Sequence, residues 1–299
     1  MTRALAVVGN VNIDLIMGPV TPWPQPGTET VVDDDQLRVG GSAGNTALAW
    51  QAMNASFCCA ANVGDDAYGT WLQDTFGNNA LHWPRTATST TVSVGLTHPD
   101  GERTFFTTKG HIQTLSWPQV RAMLEAAQLD NGILLLAGGF LTPDLCHDYP
   151  SLFDWADHHG VEVALDTGWP TQGWTPHNTA LVQGWVRRCK HILFNEVEAT
   201  TLTGTATPLA ALHALQDMAG TAAIVIKAGP QGAFALSPTR ELIHASGLPI
   251  KVLDTIGAGD IFNAGYLLGR AQGKDLPTAM HMGVQTAAKA ISSFPRQYI

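Results

Sequence analysis

Short, almost continuously apolar runs recur along the chain and alternate with longer segments of helical periodicity. The clearest short runs are Ala4–Val8, Ile133–Ala137, Val161–Leu165, Ile192–Phe194 and Ala222–Ile226. A strand that is apolar at every position is covered on both faces, as central strands of parallel sheets are. The intervening stretches are long enough for crossover helices, among them Trp117–Leu129 and Pro208–Ala219. This alternation predicts an α/β fold with a doubly wound, mostly parallel sheet, whose ligands sit beyond the carboxyl ends of the strands. Two segments depart from the pattern. Thr28–Val39 is extended and polar, with Asp33-Asp34-Asp35 inside it, and Thr90–Thr108 alternates apolar and polar residues around the turn signal Pro99-Asp100-Gly101. Both read as antiparallel ribbon outside the main sheet, forming a small β-sheet lid inserted at about residues 15–39 and 90–108 of a single domain covering 1–299. No repeat, low-complexity tract or linker divides the chain.

Charge narrows the choice of ligands. The 299 residues carry 16 Lys or Arg against 25 Asp or Glu, a net charge of −9, and only 14% are charged, against roughly 25% in an average soluble protein. Sparse acidic charge excludes a nucleic-acid coat, which needs clustered cations. No apolar run reaches the ~18 residues of a membrane span. The amino-terminal segment reaches Gly9 and Asn10 too early for a signal peptide. Cys58, Cys59, Cys146 and Cys189 lack metal-ligand spacing and read as core thiols of a reducing cytoplasm. The eleven histidines are scattered, and His158-His159 reads as a solvated helix end.

The strongest chemical signal is Asp254-Thr255-Ile256-Gly257-Ala258-Gly259-Asp260-Ile261-Phe262, with a strand-like run, Pro249–Leu253, before it and a helical pattern after it. Glycines at a helix start let backbone N–H groups approach an anion, and the helix dipole favours negative charge there. A carboxylate in that first turn competes with a bound anion unless it has its own task, such as taking a proton from a nucleophile. The same residues also describe a Gly-rich loop whose acid merely complements the dipole. A dinucleotide fingerprint is excluded by Phe262 where a third glycine belongs. A P-loop at Gly269–Lys274 is excluded by its short spacing and by Asp275. Gly40-Gly41-Ser42-Ala43-Gly44-Asn45-Thr46-Ala47 is a second glycine-rich helix entry, and Asn12 and Asp14 share one face just after the first strand. Taken singly, each also reads as a turn or cap.

Together, Gly40–Ala47 and Asp254–Phe262 resemble the two signature motifs of ribokinase-like (PfkB-type) carbohydrate kinases. Asn62–Gly69, Pro99–Arg103, Asn195–Glu198 and Lys227–Gly232 agree, so the resemblance covers essentially the whole chain. It implies a three-layer fold with a lid, and an ATP-dependent transfer of phosphate to a hydroxymethyl group of an unphosphorylated sugar. By resemblance, Asp260 is the base, and the amides of Gly257, Ala258 and Gly259 form an anion hole. Asn12, Asp14, Gly41 and Asn45 grip sugar hydroxyls. Asn195, Lys227, Gly229 and Gly232 serve the nucleotide. Glu198 organises Mg2+ through water, and Asp254 with the carbonyl of Ile256 belongs to a K+-type monovalent-cation site. A homodimer through the lid is implied as well.

Departures from ribokinase itself sharpen this. Ser42 replaces a lysine, which argues against a phosphorylated substrate. Gly138-Gly139 lacks a sugar-binding glutamate, Val284 replaces an asparagine near the adenine, and Ser292–Pro295 lacks the usual Gly-containing turn. A nucleoside kinase using the same machinery, and a nucleotide-binding protein that has lost turnover, are the alternatives.

Overall fold

The apolar runs form the middle of an eight-stranded sheet in a computed structural model that describes residues 2–99, 103–237 and 239–298. Its strand order is Leu242–Ser246, Gly232–Leu236, Ala223–Lys227, His191–Asn195, Glu162–Asp166, Ile133–Ala137, Leu5–Gly9, Phe57–Ala60. The first two pairings in that order are antiparallel and the rest are parallel. Ile133–Ala137 and Leu5–Gly9 are buried at every position, which is why both faces of these strands read apolar. Pairing outlasts apolarity at the carboxyl ends: Asp166, Asn195 and Lys227 are each the last residue of their strand. Polar side chains are thereby aimed at one rim of the sheet.

Helices flank the sheet to give the three-layer arrangement. Helix Ser42–Ala52 crosses helix Ala258–Ala271, and the buried indole of Trp50 donates to the carbonyl of Ala264 at 2.9 Å. This contact holds the two glycine-rich entries side by side. Helix Trp117–Ala126 stops short of the expected Leu129 because Gln128 adopts a positive φ of 52°. Pro249–Leu253 is not a strand. It has no strand neighbour, and Leu253 and Asp254 instead donate to the carbonyl of Ile291 at the end of the last helix.

The lid is a separate four-stranded sheet in the order Asp34–Gly40, Asn12–Gly18, Val92–Thr97, Arg103–Thr107. Its pairing departs from a purely antiparallel ribbon, since Asn12–Gly18 lies parallel to Val92–Thr97. The lid begins at Asn12, because the chain runs almost directly from the first core strand into it. Asp100 and Gly101 of the expected turn, and Glu102 after it, lie outside the described residues. One face of the lid carries a cross-strand apolar row, Leu37, Leu15, Val94 and Phe106. The cysteines are free, and burial pushes the thiols of Cys58 and Cys146 up to about 11. Among the described residues, no helix is long and apolar enough to cross a membrane.

Candidate active site

Gly257 sits at φ 72° just before helix Ala258–Ala271, in the left-handed region that glycine adopts at least cost. A Cβ at this position would lie 2.7 Å from the side-chain amide of Asn45. The helix therefore opens with a tight turn against the first glycine-rich element. The Ala258 amide is committed within that turn, donating to the Thr255 carbonyl at 3.1 Å. Among the described residues, the amides of Gly257, Gly259 and Asp260 have no partner. The free donors thus keep Gly257 and Gly259 of the expected trio and take Asp260 in place of Ala258.

Asp260, in the first helical turn, accepts a hydrogen bond from Asn45 Nδ2 at 3.0 Å through Oδ2. Burial pushes its carboxyl up to about 8, helped by nearby Asp166 and opposed by Lys227. Asn45 is in turn tied by its own amide to the Gly41 carbonyl at 2.9 Å. A buried chain of side chains runs on from there. Asn10 donates to Asn12 at 3.1 Å, Asn12 donates to Asp14 at 2.9 Å, and the backbone amide of Ser42 donates to Asn10. Asn12 is thus occupied in orienting Asp14, whose second carboxylate oxygen is left available. Burial raises Asp14 to about 6, against the pull of Arg38 on the facing lid strand.

A cavity of about 530 Å³ brings together Asn195, Glu198, Lys227, Gly229, Gly232 and the Gly257–Asp260 turn. Its far wall is apolar, with Ile250, Val252 and Val284. Lys227 reaches Asp166 Oδ2 at 2.5 Å and Asn263 at 3.3 Å, and Asn263 donates to the same Asp166 oxygen. Burial disfavours the lysine's charge, but Asp166 and Glu198 outweigh it and raise its pKa. Asp166 and Asn263 were not singled out from the sequence. For Asp166 the one available signal was a polar residue directly after an apolar run, at the carboxyl end of a central strand, whereas Asn263 lies inside helix Ala258–Ala271.

Asn195 and Glu198 form a reciprocal capping box at the start of helix Glu196–Thr203. Asn195 Oδ1 accepts from the Glu198 amide at 2.8 Å, and Glu198 Oε2 accepts from the Asn195 amide at 2.9 Å. Burial, with Asp166 nearby, pushes Glu198 up to about 7. Asp166, Glu198 and Asp260 therefore share one lysine, and this uncompensated negative charge suits a divalent cation. The described residues hold no cluster of three or more His, Cys, Asp or Glu side chains able to hold a metal alone. That fits Mg2+, which keeps most of its water and binds through one or two carboxylates plus phosphate oxygens. Glu198 uses one carboxylate oxygen in the capping box, and its second oxygen could hold such an ion.

Asp254 lies beside a second cavity of about 750 Å³ and is met by Arg38 at 2.5 Å, Arg103 at 2.9 Å and Arg296 at 2.5 Å. Burial raises its carboxyl, but the Ile256 amide with the Arg38 and Arg296 guanidiniums outweighs it and holds the group below its ordinary value. Arg296 also donates to the Ile256 carbonyl at 2.6 Å. The two oxygens expected to bind a monovalent ion are already in contact with a cation of the chain.

A profile of the pfkB family carbohydrate kinases matches residues 2–297. The chain belongs to the pfkB carbohydrate kinase family. It is 25% identical to the ribokinase of Bacillus subtilis (strain 168) over 298 residues, covering 99% of this chain and 95% of that one. Among solved structures, Arabidopsis thaliana ribokinase in complex with ribose and ATP superposes with a TM-score of 0.79 at 22% identity, covering 98% of this pfkB chain and 94% of that one. A fructokinase double mutant from Vibrio cholerae O395, bound to fructose, ADP and potassium ion, gives 0.81 at 20% identity, covering 98% and 93%. At these identities the structural likeness establishes the fold of the pfkB chain, while the family supports ATP as its co-substrate.

Proposed function

We propose that the protein transfers the γ-phosphoryl group of ATP to a primary hydroxyl of an unphosphorylated sugar. The observation that carries this reading is the pairing of roles at one helix start. Asp260 presents a part-buried carboxyl to a cavity also lined by Gly257 and Gly259, whose amides are free among the described residues. Phosphoryl transfer needs positioning and charge stabilisation far more than covalent help. In this reading Asp260 accepts the proton of the attacking hydroxyl, and its raised pKa suits a base working near neutral pH. Asn45 fixes the rotamer of that base, and Asp14 receives sugar hydroxyls. The amides stabilise charge on the transferring group, Lys227 stands beside Gly259, and the apolar wall around Val284 takes the adenine. Mg2+ held near Glu198 would neutralise charge on the phosphates.

The free Asp14 oxygen and the absence of a cation at Ser42 support an uncharged polyol acceptor. The lid's apolar row, with Leu37 44% and Phe106 55% exposed, supports pairing of two copies through that face. The reading is tested by ADP release across a panel of free sugars, sugar phosphates and nucleosides with Mg-ATP, using native protein and Asp260→Asn. Acceptor-dependent release should fall by about 10²–10⁴-fold in the variant while Mg-ADP still binds. Turnover that survives the substitution removes Asp260 as base.

A further inference from the structure

We propose that Arg296 supplies, as a fixed part of the chain, the positive charge expected from a dissociable monovalent ion beside the Gly257–Gly259 turn. A single nitrogen, Arg296 Nη2, lies 2.5 Å from Asp254 Oδ2 and 2.6 Å from the Ile256 carbonyl oxygen. The other carboxylate oxygen, Asp254 Oδ1, accepts the Ile256 amide at 3.0 Å. Both polar groups of Ile256 are therefore held, one by Asp254 and one by Arg296, directly before the turn that presents the free amides. A guanidinium keeps its charge at all working pH values and offers several donors in a fixed plane. It does the bridging work of a cation that prefers carboxylate and carbonyl oxygens.

The segment that delivers Arg296 is itself secured. Leu253 and Asp254 donate to the Ile291 carbonyl at 2.8 and 3.2 Å, and Ser293 Oγ accepts the Gln297 amide at 2.8 Å. Arg296 is mostly buried, with 15% of its side chain exposed. Arg38 and Arg103, from two different lid strands, converge on the same carboxylate. Three cations around one acid leave no electrostatic demand for a fourth.

The consequence is a protein indifferent to potassium. Native protein is titrated with thallium(I), a potassium surrogate, by ²⁰⁵Tl NMR. Its melting temperature and Mg-ADP affinity are then measured in tetramethylammonium, sodium and potassium chloride at matched ionic strength. The expected result is no saturable thallium binding and no dependence of either quantity on the cation. Arg296→Ser should weaken Mg-ADP by roughly tenfold, as for loss of a charge-assisted hydrogen bond, and dilute guanidinium should restore it. Saturable thallium binding by native protein, or stabilisation of it by potassium, overturns the proposal, as does an Arg296→Ser variant with native Mg-ADP affinity. The native-protein arms need no variant to fold. Only the ADP arm rests on the phosphate-loop reading: if Mg-ADP binds under no condition that reading fails, while thallium and melting still decide this one.

Discussion

Replacing Lys227 by Met removes the one cation that three acidic side chains share. Lys227 and Asp166 are 11% and 9% exposed and lie 2.5 Å apart, so solvent screens the pair little. Removing one partner of a buried ion pair costs about 3–5 kcal/mol, because the other charge stays behind unpaired. Unfolding entropy near the melting point is about 2.1 cal/mol/K per residue, or about 0.6 kcal/mol/K for a chain of this length. The expected drop in melting temperature is therefore about 5–8 °C. Lowering the pH should shrink it, since the orphaned carboxyls can then take up protons and shed their charge. A second variant carrying both Lys227→Met and Asp166→Asn should recover most of the loss. Scanning calorimetry of the native protein and both variants measures this directly. A single variant as stable as native protein, or a double variant that merely adds a second loss, would refute the idea that Lys227 is held chiefly by this charge cluster.

Other outcomes follow from the same geometry. Asp260 is raised to about 8, and only its ionised form accepts a proton. The kcat/KM for the acceptor should therefore rise with pH and level off above about 8; a flat profile between pH 6 and 9 contradicts the assignment. The same sign applies to stability. A carboxyl whose folded pKa is raised contributes most below its unfolded pKa and loses that contribution as pH rises through its folded value. Asp260→Asn should accordingly melt no lower than native protein above pH 8. Gly257→Ala forces a side chain into left-handed backbone, costing roughly 1–2 kcal/mol, and against Asn45; it should weaken Mg-ADP binding measured by calorimetry. Phe106→Asp places a charge on the lid's apolar row and should convert a dimer into monomers in light scattering.

The central strands were legible because burial on both faces leaves an unbroken apolar run, and Pro208–Ala219 emerges as a helix with the expected bounds. The turn at Gly257 was legible because few residue types satisfy its backbone and leave amides free. What escaped the sequence was partnership across long separations. Asp166, Lys227 and Asn263 come from two strands and a helix, and each alone looks like an ordinary strand end or helix position. Arg296 lies in a short tail after the last helix, and nothing local announces that it will meet Asp254. Pro249–Leu253 misled because a β-rich run needs a neighbouring strand, and this one finds the end of a helix instead. Asn195 and Glu198 were marked for phosphate and metal, yet their spacing equally makes a capping box, and in the structure they form that box.

The most direct test of the account is proton-coupled ³¹P NMR of the product formed from Mg-ATP and the acceptor that gives the most ADP. Transfer to a hydroxymethyl group places phosphorus next to a CH₂, so the account predicts a phosphomonoester resonance split into a triplet and absent with Asp260→Asn. A product seen only as inorganic phosphate, or a doublet from a secondary alcohol, would contradict it.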